Sequence, residues 1–325
     1  GNHDLPNAVS RATAVEIFQT LQVPYLQVGS NLQNYTIPTK SGPLQILAVP
    51  WPRRSGVLSR EESRGLTIED VRQAVQDRMT QAIYARAESL DPDVPAILTG
   101  HVTVNGATVG TERSMMLGQD HVLLAGDIGR PQVDYVALGH IHKHQILRNE
   151  NPFMAYSGSL QRVDFSEEGD DKGFCVVDLD PAAPQGKRLT DFDFHRLDAR
   201  RFVTVDVTVP VGDPDPTSAV IRGIARKDVV GAVVRVRVTL PSEVEAQLRD
   251  SDIRDALSEA HYIAAINRES PQEARRTRLD AESAKDLQPM EALRLYLESR
   301  GVEPERQEKM LRHAEELVER EASGS

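Results

Sequence analysis

The chain has a single cysteine, Cys175, among 325 residues, so it has neither an internal disulfide framework nor a cluster of thiolates for zinc. That cysteine lies in the apolar run Gly173-Phe174-Cys175-Val176-Val177, the setting of a packed thiol rather than a reactive one. No apolar run approaches the length of a membrane span, and no basic segment followed by an apolar stretch opens the chain. The first residue is not methionine, so the missing leader excludes little. Positive charge is short as well: 38 Lys and Arg stand against 49 Asp and Glu, a formal net charge of −11. That is the wrong sign for holding nucleic acid by bulk electrostatics, so any contact with a polyanion needs local basic groups and bound cations. Candidates are Arg53-Arg54 with Arg60 and Arg64, Lys143, and Arg162. The reading is a cytoplasmic globular protein, long enough for one large domain and a smaller one.

What is present is an alternation of helical and strand patterns over residues 1–198. A helix is predicted over Thr13 to Leu21, short strands over Tyr25 to Val28 and Tyr35 to Pro38, and a buried strand over Leu44 to Trp51. Thr67 to Leu90 reads as a long amphipathic helix, with Thr67 as its cap and Glu69-Asp70 in its first turn. Strands then run into His101 and His140, and a strand pair is predicted at Pro152 to Ser157 and Gly173 to Leu179. A second unit starts near Arg201, with strands at Phe202 to Val209 and Ala232 to Leu240 and a helix at Thr217 to Arg226. From Pro241 the pattern turns helical. Glu269 to Asp286 is polar and reads as a connection, and Gln288 to Glu321 as two helices broken at Gly301 and Pro304.

Three stretches bring glycine and histidine together: Gly1-Asn2-His3-Asp4, Gly100-His101 after an apolar run, and Gly139-His140-Ile141-His142 after Val133 to Leu138. In an extended segment His140 and His142 fall on one face and can approach one metal cluster. Gly139 is expected to supply a sharp turn at the strand's end, where open α/β sheets place their ligands. Asn2 adds a neutral oxygen ligand, His3 a possible acid, and Asp4 a carboxylate that can fix an imidazole tautomer. Each piece alone is weak, since isolated histidines usually serve packing or solvation. The conjunction in this order is more specific. Gly126-Asp127 reads as a turn. His121, His144, His195, His261 and His313 are assigned surface or structural roles.

With Asp134 to Lys143, Tyr156-Ser157-Gly158-Ser159, Val163-Asp164-Phe165 and His101 to Ala107, these motifs resemble the SbcD-type nuclease subunits within the calcineurin-like metallophosphoesterases. The resemblance covers residues 1 to about 180 and is looser beyond. It implies a metallophosphoesterase-type αββα sandwich lacking its N-terminal part, a small α+β capping domain and a C-terminal helical hairpin. The corresponding domains are 1–198, 199–268 and 269–325, the last comprising linker and partner-binding tail. It implies two divalent ions, Mn²⁺ ahead of Fe²⁺ or Zn²⁺. Asn2, His101 and His140 would bind one metal and His142 the other, with His3 as the catalytic histidine and Asp4 orienting it. Implied partners are DNA and an SbcC-type ATPase, with a homodimer inside a heterotetramer and no membrane. The family's Asp-x-His and bridging Gly-Asp motifs lie upstream of the first motif seen here. The expectation is therefore a truncated chain with weak activity or none. A small-molecule phosphodiesterase or phosphatase of the same superfamily, or a metal-deficient fragment that binds a partner or DNA, are the alternatives.

Overall fold

The computed structural model describes residues 1–4, 13, 15–24, 26–52, 57–58, 65–110, 121–270, 289–299 and 302–323. Arg53, Arg54, Arg60, Arg64, Tyr25, Gly301 and most of the connection after Glu269 lie outside these residues. The chain divides into two compact units, the first chiefly Gly1–Leu160 and Asp170–Leu197, the second Gln161–Gly169 with Asp198–Val318.

The first unit opens with a 3-10 turn, Asn2–Asp4, and a short helix α1 (Glu16–Thr20). Strands β1 (Gln33–Thr39) and β2 (Gly42–Val49) form a hairpin, and helix α2 (Ile68–Glu88) follows. Thr67 caps α2 as expected: its hydroxyl accepts from the Asp70 amide, and the Asp70 carboxylate accepts from the Thr67 amide, satisfying two otherwise orphaned donors. Next come β3 (Ala96–His101), the short pair β4 (Thr103–Val104) and β5 (Val122–Leu123), and a one-turn helix α3 (Ala125–Ile128). The remainder is β6 (Tyr135–Gly139), β7 (Gln145–Arg148), β8 (Phe153–Tyr156), β9 (Gly173–Leu179) and β10 (Leu189–Arg196).

Six of these strands make one sheet in the order β1-β2-β3-β6-β8-β7, and β2, β3, β6 and β8 run parallel to one another. Alternate residues of the parallel strands, among them Leu47, Leu98, Val136 and Met154, pack against Val71, Val75, Met79 and Ile83 of α2. On the opposite face Tyr135 and Phe153 meet Phe192 of β10, with ring centroids 6.1 and 4.5 Å apart. The unit is thus a parallel-rich α/β layer structure. A buried ion pair ties its edge: Asp134 accepts from the Ala96 and Gly186 amides at 2.9 and 2.7 Å and from Arg188 at 3.3 Å.

Three expectations about strands and turns in this first unit need correction here. Residues 26–28 form no strand. β8 and β9 do not pair with each other, since β8 lies between β6 and β7 and β9 pairs with β10. Gly126-Asp127 sits in helix α3, where the Asp127 carboxylate accepts from Tyr84 Oη at 2.8 Å and Thr80 Oγ1 at 3.2 Å, so it anchors α3 to α2.

The second unit contains β11 (Phe202–Thr208), α4 (Pro216–Ile224), β12 (Val233–Thr239), α5 (Asp250–Ala256) and β13 (Tyr262–Glu269). The three strands form a parallel sheet in the order β11-β12-β13, packed on both helices through Val205, Val236, Val220, Ile224 and Ile253. Asp215, one residue before Pro216, caps α4 by accepting from the Ser218 amide. The run after Pro241 is helical only to Ala256, and β13 interrupts the expected pattern. Helices α6 (Pro289–Ser299) and α7 (Pro304–Ser323) follow.

Candidate active site at the carboxyl edge of the sheet

The register of the parallel strands decides which residues meet. Val49 lies opposite Gly100, and His101 opposite Gly139, so the chain leaving β2, β3 and β6 emerges along one edge. Trp51, His101 and His140 stand there. The His101 and His140 ring centroids are 5.2 Å apart, and Trp51 lies 4.7 Å from His140 and 6.2 Å from His101. The Asn2–Asp4 turn closes on the same cluster, with Asn2 Oδ1 accepting from His101 Nε2 at 2.9 Å. Sequence reasoning misses Trp51 as a site residue. Its signal is position: Trp51 follows β2 by two residues, at the edge where β3 ends in His101.

The turn at the edge is made by an unexpected residue. Gly139 stays in the strand, while His140 takes the positive backbone angle, φ 95°. A side-chain-bearing residue in that region is strained by about 1–3 kcal/mol, and such strain gathers at functional sites. Gly139 instead makes room: a Cβ there would lie 3.2 Å from His101 Nδ1. Gly1 approaches the ring as well, and a Cβ there would come 2.7 Å from Cε1.

Burial pushes the His101 pKa down to about 4, with the Gly1 amino group and His140 adding repulsion. The ring is neutral at physiological pH and has a lone pair to give. His3 is exposed and acts electrostatically on both His101 and Asp4. The Asp4 carboxylate accepts from the Gly1 amino group at 2.6 Å, which holds its pKa below the usual range. His142 is half-buried, and its backbone carbonyl accepts from Lys172 Nζ and the Ser159 amide, both at 3.0 Å. A cleft of about 310 Å³, lined by Gly29, Ile46, Ala48, Thr99 and Gly100, opens beside His101.

The donors can be tested against a divalent cation. Asn2 Oδ1 and His101 Nε2 face each other at 2.9 Å across a shared proton. Two ligands bonded at about 2.1 Å on adjacent corners of one metal are likewise about 3 Å apart, so a cation can sit between these atoms with little movement once the ring proton occupies Nδ1 and Nε2 offers its lone pair. A neutral imidazole and an amide oxygen are suitable donors, and His140 is the next nearest. Among the described residues, no three or more His, Cys, Asp or Glu side chains already converge on a metal position. The fit is therefore to one cation's neutral ligands, without a carboxylate bridge to a second.

The remaining candidates have partners within the chain. His144 Nδ1 donates to the Tyr156 carbonyl at 2.8 Å, and its ring stacks on Phe194 at 3.8 Å. The Cys175 thiol is half-buried and its pKa is raised by burial. Arg162 donates to the backbone carbonyls of Glu167, Ala199 and Arg200, and Lys143 pairs with Asp170 at 3.8 Å.

No protein-family model matches the chain. It is 32% identical over 195 residues to the SbcD component of the SbcCD nuclease from Rhodobacter capsulatus, covering 55% of this chain and 46% of that protein. The SbcD component of the SbcCD nuclease from Staphylococcus epidermidis is 30% identical over 182 residues, covering 55% of this chain and 44% of that protein. The chain thus spans less than half the length of these curated relatives. Over 55% of its own length it is similar to the SbcD component of SbcCD nucleases, the type its histidine motifs resemble.

Proposed function

We propose that the chain forms part of a metal-dependent DNA nuclease subunit of the SbcD type, hydrolysing phosphodiester bonds in double-strand break repair and recombination beside an SbcC-type ATPase. The observation that carries this reading is the convergence of Asn2 Oδ1, His101 Nε2 and the His140 ring on the carboxyl edge of a parallel sheet. Asn2, His101 and His140 would hold one divalent ion, with Mn²⁺ ahead of Fe²⁺ or Zn²⁺, and His142 would belong to a second. Bound there, the ions would acidify a water and neutralise charge developing on the phosphate. The chain's own residues do the rest. His101, kept neutral by burial, gives its lone pair without first losing an added proton. Exposed His3 would protonate a leaving oxygen. Helices α6 and α7 would bind the ATPase partner.

The test measures Mn²⁺ uptake by electron paramagnetic resonance alongside cleavage of linear duplex DNA. His101→Ala and His140→Ala should lose uptake and cleavage together. In a chain supplied with the upstream Asp-x-His and Gly-Asp motifs, His3→Ala should keep uptake and lose turnover, because its role is toward the phosphate. Unchanged Mn²⁺ uptake in His101→Ala refutes the assignment.

A further inference from the structure

A buried lysine lies next to the site. Lys172 is 1% exposed, and its ammonium donates to the His142 carbonyl at 3.0 Å. Removing an ammonium from water is costly, so a position that only needs filling is better served by an apolar residue. Nor is the bond required to satisfy the carbonyl. His142 O already accepts the Ser159 amide at 3.0 Å, with the Ser159 hydroxyl at 3.5 Å. The lysine adds a charge-assisted bond, about twice as strong as a neutral one, where the backbone accounting is already closed. Its effect is restraint.

The restraint has a rigid origin. The Lys172 carbonyl accepts from the Leu197 amide at 2.7 Å, and a Cβ at neighbouring Gly173 would lie 2.1 Å from the His195 carbonyl oxygen. The base of the β9–β10 hairpin is therefore fixed by close backbone contact, and Lys172 spans from it to the segment after β6. That segment is held at further points. Ile141 is buried, His144 is bonded to Tyr156, and Gly158 presses so close that a Cβ would come 2.7 Å from the His144 amide nitrogen and 2.9 Å from the His142 carbonyl oxygen. Residues 141, 142 and 144 are thus anchored by contacts made through atoms other than the His142 imidazole. His140, in its strained conformation, sits at the near end.

We propose that Lys172 is a positioning residue for the candidate metal site: its buried ammonium fixes the His142 peptide, and with it the spacing of the His140 and His142 imidazoles. The inference rests on the metal reading above. Groups that orient ligands from behind typically change metal affinity 10–100-fold when removed.

The experiment titrates Mn²⁺ by electron paramagnetic resonance into wild type, Lys172→Met, Lys172→Gln and Arg188→Met, with thermal unfolding of each. Arg188 lies in the ion pair with Asp134 and serves as the purely structural comparison. Lys172→Met should weaken Mn²⁺ binding by about 10–100-fold. Lys172→Gln, which keeps a neutral donor, should fall between it and wild type. Arg188→Met should lose stability and bind Mn²⁺ unchanged while folded. Wild-type affinity in Lys172→Met overturns the inference, and so does wild-type affinity in Lys172→Gln even if the Met variant fails to fold. A wild-type chain that takes up no Mn²⁺ sinks the functional reading and this inference together, which separates the two kinds of failure.

Discussion

Replacing His140 by alanine and, separately, by glycine isolates the strain at the edge of the sheet. Both substitutions remove the same imidazole, 8% exposed, with its packing on Trp51 at 4.7 Å and its neighbour His101 at 5.2 Å. What differs is the backbone. Alanine keeps a Cβ at φ 95°, a conformation that costs an L-residue about 1–2 kcal/mol, and glycine does not. Against that stands the freer unfolded chain of glycine, worth about 0.4–1 kcal/mol in the other direction. The net expectation is a glycine variant more stable than the alanine variant by about 0.5–1 kcal/mol, the reverse of the ordinary order. Urea unfolding followed by tryptophan fluorescence reads this directly, because Trp51 is the only tryptophan and lies in the same unit. With a slope of about 2 kcal/mol/M, the two midpoints should differ by about 0.3–0.5 M at equal slopes. Neither variant should take up Mn²⁺. An alanine variant as stable as the glycine variant, or more so, means that the φ at His140 is not strained and that its place owes nothing to function.

Three further outcomes follow from named contacts. Asp134→Ala leaves Arg188 as a charge at 3% exposure without its carboxylate, so thermal or urea unfolding should show a loss of about 3–5 kcal/mol; a loss under about 1 kcal/mol contradicts the network. Asp127→Asn should lower stability by weakening the bonds from Tyr84 and Thr80 and leave Mn²⁺ affinity untouched, whereas a loss of metal would make Asp127 a ligand. Deleting 287–325 should spare the unfolding transition of the remaining protein and abolish co-purification with an SbcC-type ATPase, given that Tyr296 and Met310 are 54% and 42% exposed on these helices. Partner retention with collapsed stability would make α6 and α7 core elements.

Legibility follows locality. Helix α2 and its cap are readable because Thr67 and Asp70 are three residues apart and answer each other. The strands into His101 and His140 are readable as apolar runs of strand length. Pairing is not, because β8 reaches β6 and β7 across the sheet and nothing in Phe153 to Tyr156 names its neighbours. β13 escapes the sequence because Tyr262 to Glu269 is an edge strand with two central alanines following a helical stretch, so its hydrophobic signal is weak and its propensity misleading. At the site, the residue types are legible and the geometry is not. Sequence places the turn at Gly139, where glycine is the natural choice, and the fold puts it one residue later on a histidine. Trp51 becomes visible only through its position after β2, at the edge where β3 ends in His101.

The glycines beside His101 explain why its ring is suited to a cation. At Gly100 a Cβ would meet Leu98, Val102 and Leu138 at 3.5 Å, an ordinary contact, so that position does not demand glycine on steric grounds. Gly139 and Gly1 differ, since a Cβ at either would press on the imidazole itself. Their absent side chains let backbone approach the ring closely at both positions and remove water from it. Desolvation is the largest cause of the fall in the His101 pKa to about 4, so the ring remains neutral well below physiological pH. An imidazole near its ordinary pKa would be partly protonated in mild acid, and each bound proton would have to leave before a metal could enter. Close backbone approach removes that competition. The recurrent pairing of glycine with histidine in this chain thus has a physical reason at His101: glycine admits the backbone that keeps the histidine neutral.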